Sequence, residues 1–360
     1  MNHRLEALRA QLRTQGLDAA FIAEPSNRRY LSGFTGTSGY VLAGLSEQWF
    51  LTDFRYVEQA KSQCPDFHVV NYGPSLVSAL ADLLQTAGVK SLAFEQDYLT
   101  YGEVQRYREL EERVPGLSLV PVSDLVESLR MVKDAEEIKR VEQAVAVADA
   151  AFEYILGVIQ PGVTEKEVAL ELELFMRRQG ASGPSFETIV ASGWRSALPH
   201  GVASDKVIED GEFVTLDFGA VVDGYCSDIT RTVVVGQPTD RQREVYEHVR
   251  QANELALAQA RPGLTGRDLD AVARDYLASH GLGEAFGHSL GHGVGLAIHE
   301  LPRLSKQSDD RLARGMIVTI EPGVYLPGWG GVRIEDDIVL TDDGCRVLTH
   351  AGKDLMTVGK

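Results

Sequence analysis

Leu5, Leu8 and Leu12 recur at helical spacing over residues 4–15, and the short apolar run behind them, 18–23, predicts a strand. A turn-rich stretch over 25–39, carrying Gly33, Gly36 and Gly39, separates that strand from strand-like runs at 40–43 and 49–52. Helical and strand-like patterns keep alternating to about Val122, which predicts a small α/β domain over residues 1–123. Pro115, Gly116 and Pro121 punctuate its end, and 124–133 reads as a linker. From Asp134 the texture changes. Two long amphipathic helical patterns, 134–158 and 165–180, precede glycine-rich strands in a second domain, 134–360.

That second region repeats itself at an offset of about 100 residues. QPGVT (160–164) recurs as RPGLT (261–265), and GEFVTLDFG (211–219) as GMIVTIEPG (315–323). Between them Phe186, Gly193 and His200 answer Phe286, Gly293 and His299. Both halves read helix, Pro-Gly-x-Thr, helix, glycine-rich strands, carboxylate hairpin. Packed about a pseudo-twofold axis, such halves bring their repeated carboxylates together at the centre.

The carboxylates sit on apolar strands. Asp217 ends the run 213–218, and a turn through Asp223-Gly224 leads into a second strand, 226–235, bearing Asp228. Hairpin pairing is expected to set Asp217 and Asp228 alongside each other. In the second half 317–320 leads into Glu321, and the return through 326–331 leads to Glu335, giving the corresponding pair. Four ionised acids buried together are costly without compensation, and two divalent cations balance them. The oxygen-rich donor set favours Mn2+, with Co2+, Zn2+ and Fe2+ left open. Two such ions share a water and acidify it. Asp336 is expected to point away from Glu335 by strand alternation, and Asp223 to serve its turn.

The segment GHSLGHGVGLAIHE (287–300) holds three of the nine histidines, and its glycines permit close backbone approach. It fits no strand–Gly-x-Gly-x-x-Gly–helix phosphate motif. The balance of 35 Lys and Arg against 52 Asp and Glu gives a net charge of −17, which disfavours nucleic acid and anionic membranes as partners. Cys64, Cys226 and Cys345 form no Cys-x-x-Cys motif, so a reducing compartment fits. The charged, amphipathic N-terminus lacks a signal-peptide core, and no 18-residue apolar run occurs. A cytoplasmic protein is expected.

Taken together, HSLGHGVGLAIHE (288–300), TIEPGVY (319–325), GVRIEDD (331–337) and LDFGAVVDGYCSDITRT (216–232) resemble the metal-dependent Xaa-Pro peptidases, aminopeptidase P and prolidase, which share a fold with methionine aminopeptidase and creatinase. NRRYLSGFTGTSG (27–39) and LTDFRY (51–56) look like their N-terminal domain. The resemblance implies a pita-bread α/β (α+β) catalytic domain behind a smaller α/β domain, and a dinuclear centre. Its ligands would be Asp217, Asp228, His292, Glu321 and Glu335, with Asp228 and Glu335 bridging. It implies attack on an Xaa-Pro bond by a metal-bridging hydroxide, with Glu321 shuttling the proton. His299 would bond the tetrahedral intermediate, His200 would contact substrate, His288 would line the proline side, and Arg333 would support the ligands or a substrate group. A homodimer is implied as well. The expected activity is that of an aminopeptidase P on peptide N-termini. The alternative is a strict Xaa-Pro dipeptidase, prolidase, marked by a basic group such as Arg303 capping the dipeptide carboxylate. A non-catalytic peptide-binding module and a dinuclear phosphoesterase are the more distant alternatives.

Overall fold

A computed structural model describes residues 3–359. The chain divides into two compact units between Arg130 and Met131. In the first, a six-stranded sheet runs in the order His68–Asn71, Gln48–Thr52, Tyr40–Gly44, Ala19–Ile22, Ser91–Glu95, Ser118–Val122. Its three central pairings from Gln48–Thr52 to Ser91–Glu95 are antiparallel, antiparallel and parallel. The leucines of the first helical pattern are buried on His3–Gln15.

The stretch 25–39 departs from expectation, because its first part, Pro25–Ser32, is a helix rather than a run of turns. Pro25 stands in the first turn, where its missing N–H costs nothing. The Glu24 carboxylate accepts from the Asn27 N–H at 2.6 Å, and Gly33 closes the helix at φ 76°. Within the segment read as a linker, Glu127–Arg130 forms a short helix whose buried Arg130 donates to the Asn27 side chain at 2.8 Å. Asp53 and Arg55 form an ion pair at 2.8 Å.

In the second unit the repeat is visible in sheet order. Ile229–Val235, Phe213–Phe218 and Ile189–Ser192 follow one another in one sheet; their counterparts Asp336–Leu340, Ile317–Ile320 and Gly291–Gly293 follow one another in the other. Each sheet carries its own helix pair. Ala148, Phe152, Val168 and Leu172 of Ala135–Ile155 and Glu165–Arg178 pack on Val214, Leu216 and Val233. Val249, Ala252, Leu269 and Ala273 of Asp240–Gln259 and Gly266–Ser279 pack on Val318, Ile320 and Ile338. Every residue of Phe213–Phe218 is buried, yet the strand alternates chemically. Val214, Leu216 and Phe218 join the helix-facing core, so Thr215 and Asp217 face the other way. Thr319, followed two residues later by Glu321, occupies the same position in the second half.

The recurrent Pro-Gly-x-Thr motif has one local function in both halves. Thr164 and Thr265 cap the helices that follow, accepting from the N–H groups of Glu167 and Asp268, and each is answered by that acid's carboxylate. Thr164→Ala and Thr265→Ala should therefore each destabilise the chain by about 1 kcal/mol. The urea midpoint of the protein measures this, and both variants together should add their effects.

Candidate metal centre

The sheet faces turned away from the helices meet the glycine-rich segments at a cleft of about 570 Å3. Asp217, Asp228, His292, Glu321 and Glu335 all line it, as do His200, His288, His299 and Arg333. One ligand atom each of Asp228, His292 and Glu335 lies within 4.8 Å of the others. The His292 Nε2 is 3.6 Å from Asp228 Oδ2 and 3.5 Å from Glu321 Oε1. Its Nδ1 is 3.1 Å from the Gly293 carbonyl, an arrangement that assigns the proton to Nδ1 and turns the Nε2 lone pair to the acids.

Asp217 and Asp228 are close neighbours, but not as a directly opposed pair. Asp217 stands opposite Thr230, and the ladder ends at Phe218 with Ile229. The expected strand over 226–235 is broken at Ser227 and Asp228. At this break Gly219 lies so close to the Ser227 carbonyl that a Cβ would fall 1.8 Å from its oxygen. Asp228 thus sits one step beyond the ladder. It stays on the face of Thr230 and Asp217, two residues along the strand. In the second half Ile320 pairs with Asp336, which sets Glu321 and Glu335 at the open end of that ladder. Asp336 itself points away, to Arg231 at 2.8 Å and Lys353 at 2.9 Å. Asp223 occupies the turn at φ 52°.

The electrostatics follow from crowding. Burial, then Glu335 and Asp217, holds the Asp228 carboxyl well above its ordinary range; burial, then Glu321 and Asp217, does the same to Glu335. Burial lifts Glu321 from 4.5 to about 8. His292 and His288 are pushed down to about 4 by burial and are neutral. The buried Asp228 Oδ1 has no hydrogen-bond partner. With Oδ1 buried and unpartnered and Oδ2 facing the His292 Nε2 lone pair, the Asp228 carboxylate lacks a cation.

Besides Arg333, already expected to support the ligands or a substrate group, the cluster is organised by residues that sequence reasoning passed over. Arg333 donates to Asp217 Oδ2 at 2.6 Å, to Thr230 Oγ1 at 3.0 Å and to the Tyr325 hydroxyl at 2.6 Å. Thr230 in turn donates to Glu335 Oε2 at 2.6 Å, and Tyr325 meets His288 Nε2 at 2.8 Å. Asp337 accepts from the Asp228 N–H at 2.9 Å. Thr230 carries a sequence signal, a polar residue two positions after Asp228 on an apolar strand. Tyr325 carries none beyond lying near the glutamate hairpin.

Carboxylates with one neutral imidazole, buried around an unsatisfied oxygen, define a site for divalent cations. The chain belongs to metallopeptidase family M24, which its residues 139–342 match, and residues 4–132 match the creatinase/prolidase N-terminal domain. It is a hydrolase of the pita-bread fold. It is 41% identical to an Xaa-Pro dipeptidase of Pyrococcus horikoshii, over 99% of both chains. It is 49% identical to an Xaa-Pro dipeptidase from Bacillus anthracis, over 99% of both chains, with a TM-score of 0.96. An X-Pro aminopeptidase from Thermotoga maritima is 41% identical, covering 98% of this chain and 99% of its own, at a TM-score of 0.90.

The raised carboxyl groups make a signed prediction. In the metal-free protein Glu321 favours the fold fully below about pH 4.5, and this contribution is lost as pH rises towards 8. A divalent cation displaces those protons, so its stabilisation grows over the same interval. The rise in melting temperature on adding Mn2+ to chelator-stripped protein should be larger at pH 8 than at pH 5. Equal shifts would contradict the protonation of the empty cluster.

Proposed function

We propose that the protein is an Xaa-Pro dipeptidase, a prolidase, hydrolysing the bond between an N-terminal residue and a C-terminal proline. The observation that carries the dipeptide reading is Arg303. It lies opposite His292 in the strand pairing and lines the cleft, and its side chain has no hydrogen-bond or ion-pair partner among the described residues. An unpaired guanidinium beside the reacting centre suits the carboxylate that ends a dipeptide; in a longer peptide an amide stands there instead. The Xaa-Pro dipeptidases among the similar proteins support this reading over aminopeptidase P.

In this reading Asp217, Asp228, His292, Glu321 and Glu335 hold two divalent ions, and Mn2+ fits their oxygen-rich set. Bound there, the ions supply Lewis acidity and an acidified water. Glu321, open to the cleft on one side, takes a proton from the attacking water and delivers it to the prolyl nitrogen. That nitrogen has no N–H before cleavage, so recognition of proline falls to shape and apolar contact. His299 and His200, both exposed in the cleft, bond the substrate about the scissile carbonyl. His288, fixed by Tyr325, lines the proline side. Arg333 is buried and bonded to Asp217, so it is a positioning residue for the ligands rather than a contact for substrate. A homodimer in a reducing, cytoplasmic setting completes the proposal. The three free cysteines are in keeping with it, and no helix among the described residues is long and apolar enough to cross a membrane.

A length series tests the proposal. With Mn2+ present, Xaa-Pro should be turned over and Xaa-Pro-Yaa-Zaa should be poor, and chelation should abolish both. Arg303→Ala should lower kcat/KM for the dipeptide about 10- to 100-fold, chiefly through KM, and affect the tetrapeptide little. Preferential release from the tetrapeptide would return the enzyme to the aminopeptidase P class. Arg333→Met should cost about 10- to 100-fold in metal affinity or activity.

A further inference from the structure

Five carboxylates line the cleft, and only Glu187 lies outside the proposed ligand set. It belongs to the wall formed by Phe186, Glu187 and Ile189, at the start of the strand Ile189–Ser192. Ile189 stands opposite Asp217 in the sheet, so this wall flanks the reacting centre. Glu187 is exposed to the cleft and, among the described residues, its side chain has no hydrogen-bond or ion-pair partner. Arg303, the other charged side chain of the cleft in that condition, comes from a different sheet. Asp217 and Arg333, by contrast, neutralise each other at 2.6 Å.

Once cations balance the four ligand acids, the charged groups left in the cleft are Glu187 on one wall, Arg303 on another, and the buried Arg333, which stays bonded to Asp217. A dipeptide brings a carboxylate, an α-ammonium and the side chain of its first residue. The carboxylate goes to Arg303. The α-ammonium is attached one carbon from the scissile carbonyl and stays beside the ligand acids. Glu187 lies two residues along the wall from Ile189, a span of up to about 7 Å. That is a distance for the end of a long side chain. Phe186 and Ile189 offer apolar surface to the methylene stem of such a chain, leaving its charged head at Glu187.

We propose that Glu187 is a specificity-determining residue that selects a basic side chain, Lys or Arg, in the residue preceding proline. This inference rests on the dipeptidase reading.

The test compares kcat/KM for Lys-Pro, Arg-Pro, Met-Pro and Glu-Pro in the Mn2+-loaded protein. The wild type should favour Lys-Pro over Met-Pro by about fivefold, the size of a partly exposed ion pair. That preference should shrink as salt rises from 0.05 to 0.5 M, by about half or more. Glu187→Gln should abolish the preference, and Glu187→Lys should turn it towards Glu-Pro. An unchanged Lys-Pro to Met-Pro ratio in Glu187→Gln overturns the proposal. An equal loss on all four substrates also overturns it, because that result assigns Glu187 to the α-ammonium they share. If Met-Pro is cleaved without any charge preference, only this inference fails. If no dipeptide is cleaved, the dipeptidase reading fails and takes the inference with it.

Discussion

Mutual repulsion of buried carboxylates is the constraint around which the second unit is built. Asp217 and Asp228 come from one half of the repeat, Glu321 and Glu335 from the other, and each half alone would hold only a pair. Brought to one cleft, they raise one another's proton affinity, most clearly at Asp228 and Glu335. Without ions, uptake of protons offsets that repulsion. In the proposed reading the same acids hold the ions, and the energy that opposed their burial becomes binding affinity.

Holding such a cluster in place requires a rigid surround, and the surround is itself ionic. Arg231 is buried and bonded to Asp336, to the Ala351 and Gly352 carbonyls and to the backbone of Glu335. It fixes the strand directly behind a ligand without touching the cleft. Lys133 and Glu300 form a buried pair at 2.7 Å, and Gly295 leaves the space in which the Glu300 carboxylate lies. That contact fastens the chain next to His299. Removing one partner of either pair would strand an uncompensated charge, which explains why these ions persist in a core.

The repeat, the two-layer halves and the gathering of four carboxylates at one cleft were legible in the sequence, since they rest on strand alternation and on motifs recurring at a fixed offset. The helix Pro25–Ser32 was not, because glycine density suggested turns and the cap comes from Glu24, an uncommon capping residue. Directly opposed Asp217 and Asp228 could not be corrected from sequence either. The break at Ser227 and Asp228 accompanies the close approach of Gly219 to the Ser227 carbonyl, a contact with no periodic signature. Tyr325 and Thr230 were hidden for a related reason. Their importance lies in bonds to Arg333, Glu335 and His288, and only the closed structure creates those bonds. Arg303 and Glu187 were legible as charges, but that they lack partners is a property of the fold.

Occupation of the meeting point of the two halves by cations is the central claim. Mass spectrometric metal analysis of Mn2+-loaded, dialysed protein at pH 8 measures this directly. About two ions per chain are predicted, falling on substitution of Glu335, which belongs to the shared cluster. Retention of no metal by a folded chain would contradict the account at its base.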